Sequence, residues 1–183
     1  MIRFIKKLFT LAVTFALLVS FCYCVLLPRV LPLKYQDLVE KYAKAYELEK
    51  SLINGVIFSE SHFEPEAVSH ADAMGLMQIT EETGWWAAEQ MGMDPESVEL
   101  TDPETNIRIG CWYLNWLMDK FDGVKETALA GYNAGHGNVE KWLADEEMSR
   151  DGITLDEIPY EETKVYVKKV QIAQAVYQYV YRQ

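Results

Sequence analysis

The sequence predicts a mainly α-helical domain preceded by one membrane-crossing helix. Three observations lead there. Residues 8–27 carry no charge and are mostly apolar. From Tyr35 onward, apolar residues recur at helical spacing. No alternating run bounded by turn residues marks a strand.

The run over 8–27 comes first in the chain. At ~1.5 Å rise per residue it reaches ~30 Å, the thickness of a bilayer core. Arg3, Lys6 and Lys7 precede it, no acid occurs before Asp37, and only Arg29 and Lys34 follow closely. The positive-inside rule then places residues 1–7 in the cytoplasm as a basic tail, 8–27 in the membrane as a signal-anchor, and the rest outside. A cleaved signal would show a shorter apolar stretch and a small-residue cleavage site. Here Phe21 and Tyr23 flank Cys22 and Cys24, which also disfavours lipidation. The expected topology is single-pass, with residues 28–34 as linker and 35–183 as the extracytoplasmic domain.

Within that domain the helices follow in order. Tyr35–Glu47 places Leu38, Tyr42 and Tyr46 on one side. Lys50–Glu60 carries the stripe Leu52, Ile53, Val56, Ile57. Thr80 reads as an N-cap followed by Glu81 and Glu82, where acids suit the helix dipole. Asp102-Pro103-Glu104 is a second start, with Pro at the first helical position, for a helix reaching Phe121 and ending near Gly123. Helical spacing also marks Glu126–Tyr132, Asn138–Ala144 and Glu161–Tyr181. The special residues fall between these elements, in Ser61–Gly75, Gly131–Gly137 and Arg150–Tyr160.

Composition narrows the function. The 183 residues are 50% hydrophobic, enough for one compact domain plus an appendage. The net charge is −11, from 17 Lys and Arg against 28 Asp and Glu. That balance lacks the basic footprint of a nucleic-acid binder. Cys111 is the only cysteine beyond the apolar run, so the domain forms no internal disulfide, and its apolar neighbours mark it as a packed core residue. His62, His70 and His136 lack metal-ligand spacing, and neither a phosphate loop nor a nucleophile elbow occurs. No metal and no cofactor are expected.

Glu60 is the candidate acid. Val56, Ile57, Phe58 and Phe63 surround it in sequence, and apolar company raises a carboxyl pKa. An acid kept protonated near neutral pH can protonate a leaving oxygen. Four blocks then occur in order. They are Glu60-Ser61 with Phe63-Glu64-Pro65-Glu66-Ala67-Val68-Ser69, then Gly75-Leu76-Met77-Gln78, then Gly131-Tyr132-Asn133-Ala134-Gly135, then Tyr160-Glu161-Glu162-Thr163 with Tyr166-Val167. Together, from roughly Ile53 to Val170, they resemble the catalytic domain of soluble-type lytic transglycosylases, relatives of goose-type lysozymes. Gly131 departs from the family's usual Ala.

The resemblance implies a lysozyme-like helical fold with a deep glycan cleft. It implies Glu60 as the catalytic acid and base, and Ser69, Met77, Gln78, Tyr132, Asn133, Glu162 and Tyr166 as substrate-binding residues. Its substrate would be the glycan strand of peptidoglycan. Glu60 would break the bond after N-acetylmuramic acid without water, leaving a 1,6-anhydro end. Ordinary glycosidases use two carboxylates; here a tethered C6 hydroxyl replaces the second. The residues themselves leave other outcomes open. Gln78 and Asn133 suit sugar hydroxyls and acetamides, Met77 is equally suited to packing, and Glu162 to bracing a helix. A hydrolase of the same fold, with Asp72 or Glu81 positioning water, is one rival. A non-catalytic wall-binding or assembly scaffold is the other.

Overall fold

The computed structural model describes residues 2–181. The chain divides into two compact units, one ending at Lys34 and the other beginning at Tyr35.

The first unit is helical from the start. Helix α1 spans Ile2–Phe21, a π-helical turn covers Cys22–Leu26, and α2 spans Leu27–Val30. Among the described residues, no helix is long and apolar enough to cross a membrane. One regular α-helix over 8–27 therefore does not form. Lys6 and Lys7 occupy the early turns of α1, and its regular winding stops at Phe21. The uncharged regular part rises only ~20 Å. The expected linker 28–34 begins inside α2.

The second unit is built of helices, with two isolated β-bridges, Val68 to Met74 and Met74 to Ile79. Helix α3 spans Gln36–Ala45 and α4 spans Lys50–Glu60. The Thr80 and Asp102 caps form as their chemistry dictates. Thr80 Oγ1 accepts from Thr83 N at 3.3 Å, opening α5 over Glu81–Gln90. Asp102 Oδ2 accepts from Thr105 N at 2.8 Å, opening α6 over Pro103–Lys120. A short 3₁₀ turn, Pro95–Ser97, lies between them. Then come α7 over Lys125–Ala134, α8 over His136–Leu143, and α9 over Glu161–Tyr181.

Helix α4 is the buried centre. Ser51 to Ile57 and Ser59 are all buried, so this helix has almost no solvent face. It lies close against α9: a Cβ added at Gly55 would stand 3.0 Å from the backbone nitrogen of Gln174. Val170, Ala173 and Tyr177 of α9 close over it. Cys111 is fully buried in α6, and burial pushes its thiol well up, as a packed core cysteine requires. This packing fixes the C-terminal end of α4, and Glu60 stands at that end.

Candidate active site

Glu60 is the last residue of α4, and the chain turns sharply after it. His62 and Phe63 both adopt positive φ, 52° and 65°, uncommon for residues with side chains. Phe63 is fully buried and locks the corner. Ser61 ties it from the other side: its Oγ donates to Leu76 O at 2.8 Å. The helix end that bears Glu60 is thereby joined to the Gly75–Gln78 block.

That block has its own clamp. Asn106 of α6 is fully buried, and its amide makes three bonds across the loop. Met77 N donates to Asn106 Oδ1 at 2.7 Å, and Asn106 Nδ2 donates to Leu100 O at 2.7 Å and Met74 O at 2.9 Å. Gly75 passes this clamp with φ +80°, and a side chain there would overlap Asn106 Nδ2 and Leu100 O. Only glycine meets both demands.

Glu60 is a half-buried residue among these elements, and its carboxyl pKa is raised to about 7. Burial is the dominant cause, because it disfavours the charged form. Tyr166 and Lys169, both on α9, act in the opposite direction, and Glu162 adds a smaller raising effect. Tyr166 is itself buried. Its hydroxyl lies in the field of Glu60 without reaching the geometry of a formed hydrogen bond, so its donor is unspent. Tyr132 of α7 also faces the Glu60 charge, and its hydroxyl donates to Met77 O at 2.8 Å.

The structure thus gathers Tyr132, Glu162 and Tyr166 around Glu60. Asn133 sits beside Tyr132, its Oδ1 accepting from Thr163 Oγ1 at 2.7 Å, which pins α7 to the start of α9. Its amide nitrogen has no protein partner among the described residues.

The other expected contacts are engaged within the protein. Met77 is fully buried, with its sulfur against Gly110; packing takes its side chain, and its carbonyl serves Tyr132. Gln78, at φ 49°, donates its amide to Ala67 O and Gly75 O, both at 3.0 Å, and these bonds use its nitrogen and not its Oε1. Ser69 Oγ accepts from Ala71 N at 3.2 Å and Ala73 N at 3.1 Å, so it braces its own loop and keeps its hydroxyl proton to give. Asp72 and Glu81 are exposed, and neither contributes to the Glu60 shift.

An aromatic wall continues from Tyr132. Its ring lies 5.5 Å from Tyr113, which lies 6.1 Å from Trp86, itself 4.9 Å from Trp116. Trp86, Tyr113, Glu82, Thr83 and the start of α8 at Gly135, His136 and Gly137 line an open hollow of about 430 Å³. Flat rings beside polar side chains such as Glu82 and Thr83 suit an elongated polar ligand with apolar faces, as a sugar chain has. Asn106 and Lys169 lie outside the four sequence blocks, and Ser61 and Thr163 stood in them without an assigned role. Their partners are distant in the chain, and no local pattern marks them.

A helical domain built around one half-buried, proton-retaining glutamate is a lysozyme-like arrangement. Comparison with known proteins fixes the family. The model of the transglycosylase SLT domain matches residues 37–153, and the chain belongs to that family. It is 35% identical over 151 residues to the soluble lytic murein transglycosylase of Escherichia coli K12, covering 81% of this chain and 23% of that protein. It is 38% identical over 118 residues to the membrane-bound lytic murein transglycosylase C of Haemophilus ducreyi, covering 59% of this chain and 32% of that one. Among solved structures, an inactive Glu-to-Gln variant of the lytic transglycosylase Slt from Pseudomonas aeruginosa matches with a TM-score of 0.73 and 30% identity, over 84% of this chain and 25% of the other. The chain spans about a quarter of the length of the soluble relatives it matches.

Proposed function

We propose that the domain cleaves the glycan strands of peptidoglycan as a lytic transglycosylase, with Glu60 as its single acid and base. One observation carries this reading. Glu60 ends the buried helix α4, where burial raises its pKa to about 7, and among the described residues Glu162 is the carboxylate that acts on it. A two-carboxylate hydrolase needs a second ionised acid placed to activate water, and Asp72 and Glu81, the candidates for it, are exposed and are not among the groups that shift Glu60. A mere scaffold has no use for an acid whose burial destabilises the charged form.

In the proposed reaction, Glu60 gives its proton to the glycosidic oxygen after N-acetylmuramic acid as the bond to C1 breaks. The substrate's own N-acetyl oxygen supports the developing positive charge. Ionised Glu60 then takes the proton of the C6 hydroxyl, whose oxygen bonds to C1. The product is a 1,6-anhydro end, and no water is consumed. The nucleophile is tethered to the reacting sugar, which favours it over solvent. Asn133 Nδ2, Gln78 Oε1 and the Ser69 hydroxyl are free to bind acetamide and hydroxyl groups of a strand lying in a cleft along Tyr132, Tyr113 and Trp86. Glu162 and Tyr166 flank the reacting sugar. Zymography on purified sacculi tests the assignment. Activity should vanish in Glu60→Gln and persist in Glu64→Gln and Glu66→Gln, whose carboxylates are exposed. Activity in Glu60→Gln, with loss in either neighbour, would sink it.

The same reading places the domain at the membrane, anchored N-in and C-out through residues 8–27. Leu17, Leu18 and Val19 are successive and all exposed. At about 100° per residue they clothe most of the helix circumference in apolar surface, which suits lipid on all sides. The π-turn Cys22–Leu26 extends the uncharged segment beyond Phe21. Protease added to intact spheroplasts should remove the domain; full protection of it would refute the anchor.

A further inference from the structure

Lys169 lies on α9, beyond the last of the four sequence blocks. Its Nζ donates a 2.6 Å hydrogen bond to the backbone carbonyl of Ser59. Ser59 precedes Glu60 in the final turn of α4, where carbonyls have no amide from a following turn. An ammonium at this place satisfies an orphaned acceptor and meets the negative end of the helix dipole. The contact joins residues far apart in sequence, and it is made at the point where α4 delivers the acid.

We infer that Lys169 is a positioning residue of the reaction: its ammonium caps α4 at Ser59 and thereby holds a fixed positive charge next to the residue that transfers the proton. This rests on Glu60 being the acid and base, as proposed above. Glu60 must arrive protonated, release the proton, and take one back. Burial and Glu162 favour the protonated form, and Tyr166 and Lys169 favour the ionised one. Tyr132 of α7 faces the same carboxyl and is held neutral by its own burial. Of these groups, Lys169 is the only cation. Without its charge, Glu60 keeps its proton to higher pH and becomes slower to give it up. The hydrogen bond to Ser59 fixes a side chain that would otherwise sweep through solvent, where its charge would be screened.

The test is a titration of the Glu60 side-chain carboxyl by carbon NMR in the full chain, for wild type, K169Q and K169R. Glutamine keeps a neutral donor for the Ser59 carbonyl and removes the charge; arginine keeps the charge. K169Q should titrate at higher pH than wild type, and K169R should titrate with wild type. The basic limb of the rate profile should move with the titration. A K169Q midpoint at or below that of wild type overturns the inference and reduces Lys169 to a helix cap. If K169Q does not fold, K169C answers the question. Aminoethylation of its thiol restores an ammonium and should restore the wild-type midpoint, whereas carbamidomethylation should not; equal midpoints for the two adducts overturn the inference. The titration needs no turnover, so its failure is distinct from failure of the proposed activity.

Discussion

Replacing Glu60 with Gln should stabilise the protein while it abolishes activity, and the gain should depend on pH in a defined direction. The folded pKa of Glu60 is raised from 4.5 to about 7. Below about pH 4.5 the carboxyl is protonated in both folded and unfolded chains, so it contributes no difference. Between 4.5 and 7 the unfolded chain releases the proton and the folded one retains it, so wild-type stability falls as pH rises. Above about 7 both are ionised and the deficit is constant. At 1.36 kcal/mol per pKa unit the ceiling is about 3 kcal/mol. Glu60 as a residue keeps some contact with solvent, and the expected deficit is ~1–3 kcal/mol. Gln has no charge to desolvate and escapes it. Urea denaturation of wild type and Glu60→Gln at one pH below about 4.5 and one above about 7 measures the effect. The variant should gain at the higher pH alone, while turnover falls by at least ~10²–10⁴-fold. A stability difference that is the same at both pH values would refute the argument that burial raises this pKa.

Other substitutions test the scaffold. Gly75→Ala combines a positive φ with overlap against Asn106 and Leu100, and should cost about 3 kcal/mol or more, read by denaturant midpoint. Asn106→Leu keeps the volume but leaves Met77 N and Leu100 O without partners, an expected loss of ~2–5 kcal/mol; a melting temperature within ~2 °C of wild type would show the clamp is dispensable. The acidic chain should show no tight, salt-sensitive DNA binding, and a steep salt dependence in a mobility assay would contradict that.

Much of the helical framework was legible because local chemistry dictates it. The caps at Thr80 and Asp102 and the apolar stripe of Lys50–Glu60 are short-range signals, and the structure obeys them. The apolar run was legible as composition, but its π-turn was not, since no Gly or polar pair marks where regular winding stops. Glu60 was legible from its apolar neighbours, and burial raises its pKa as they suggest. The side-chain directions were not legible. Gln78 and Ser69 are engaged by their own loop through backbone groups, and Met77 is buried in the core with its N–H held by Asn106; these are tertiary contacts that the motif spacing does not encode. Gly131, where the family usually has Ala, has a reason of its own: a Cβ there would lie 2.8 Å from the Phe121 ring. Lys169 and Asn106 act through contacts distant in sequence, which no local pattern encodes.

The central claim is that one glutamate performs the whole cleavage with the substrate's own hydroxyl as nucleophile. Mass spectrometry of fragments released from purified peptidoglycan by the full chain, in water labelled with heavy oxygen, tests it most directly. The account predicts N-acetylmuramic ends lighter than reducing ends by one water, without label, and none from Glu60→Gln. Labelled reducing ends as the main product would contradict it and assign the domain to hydrolysis.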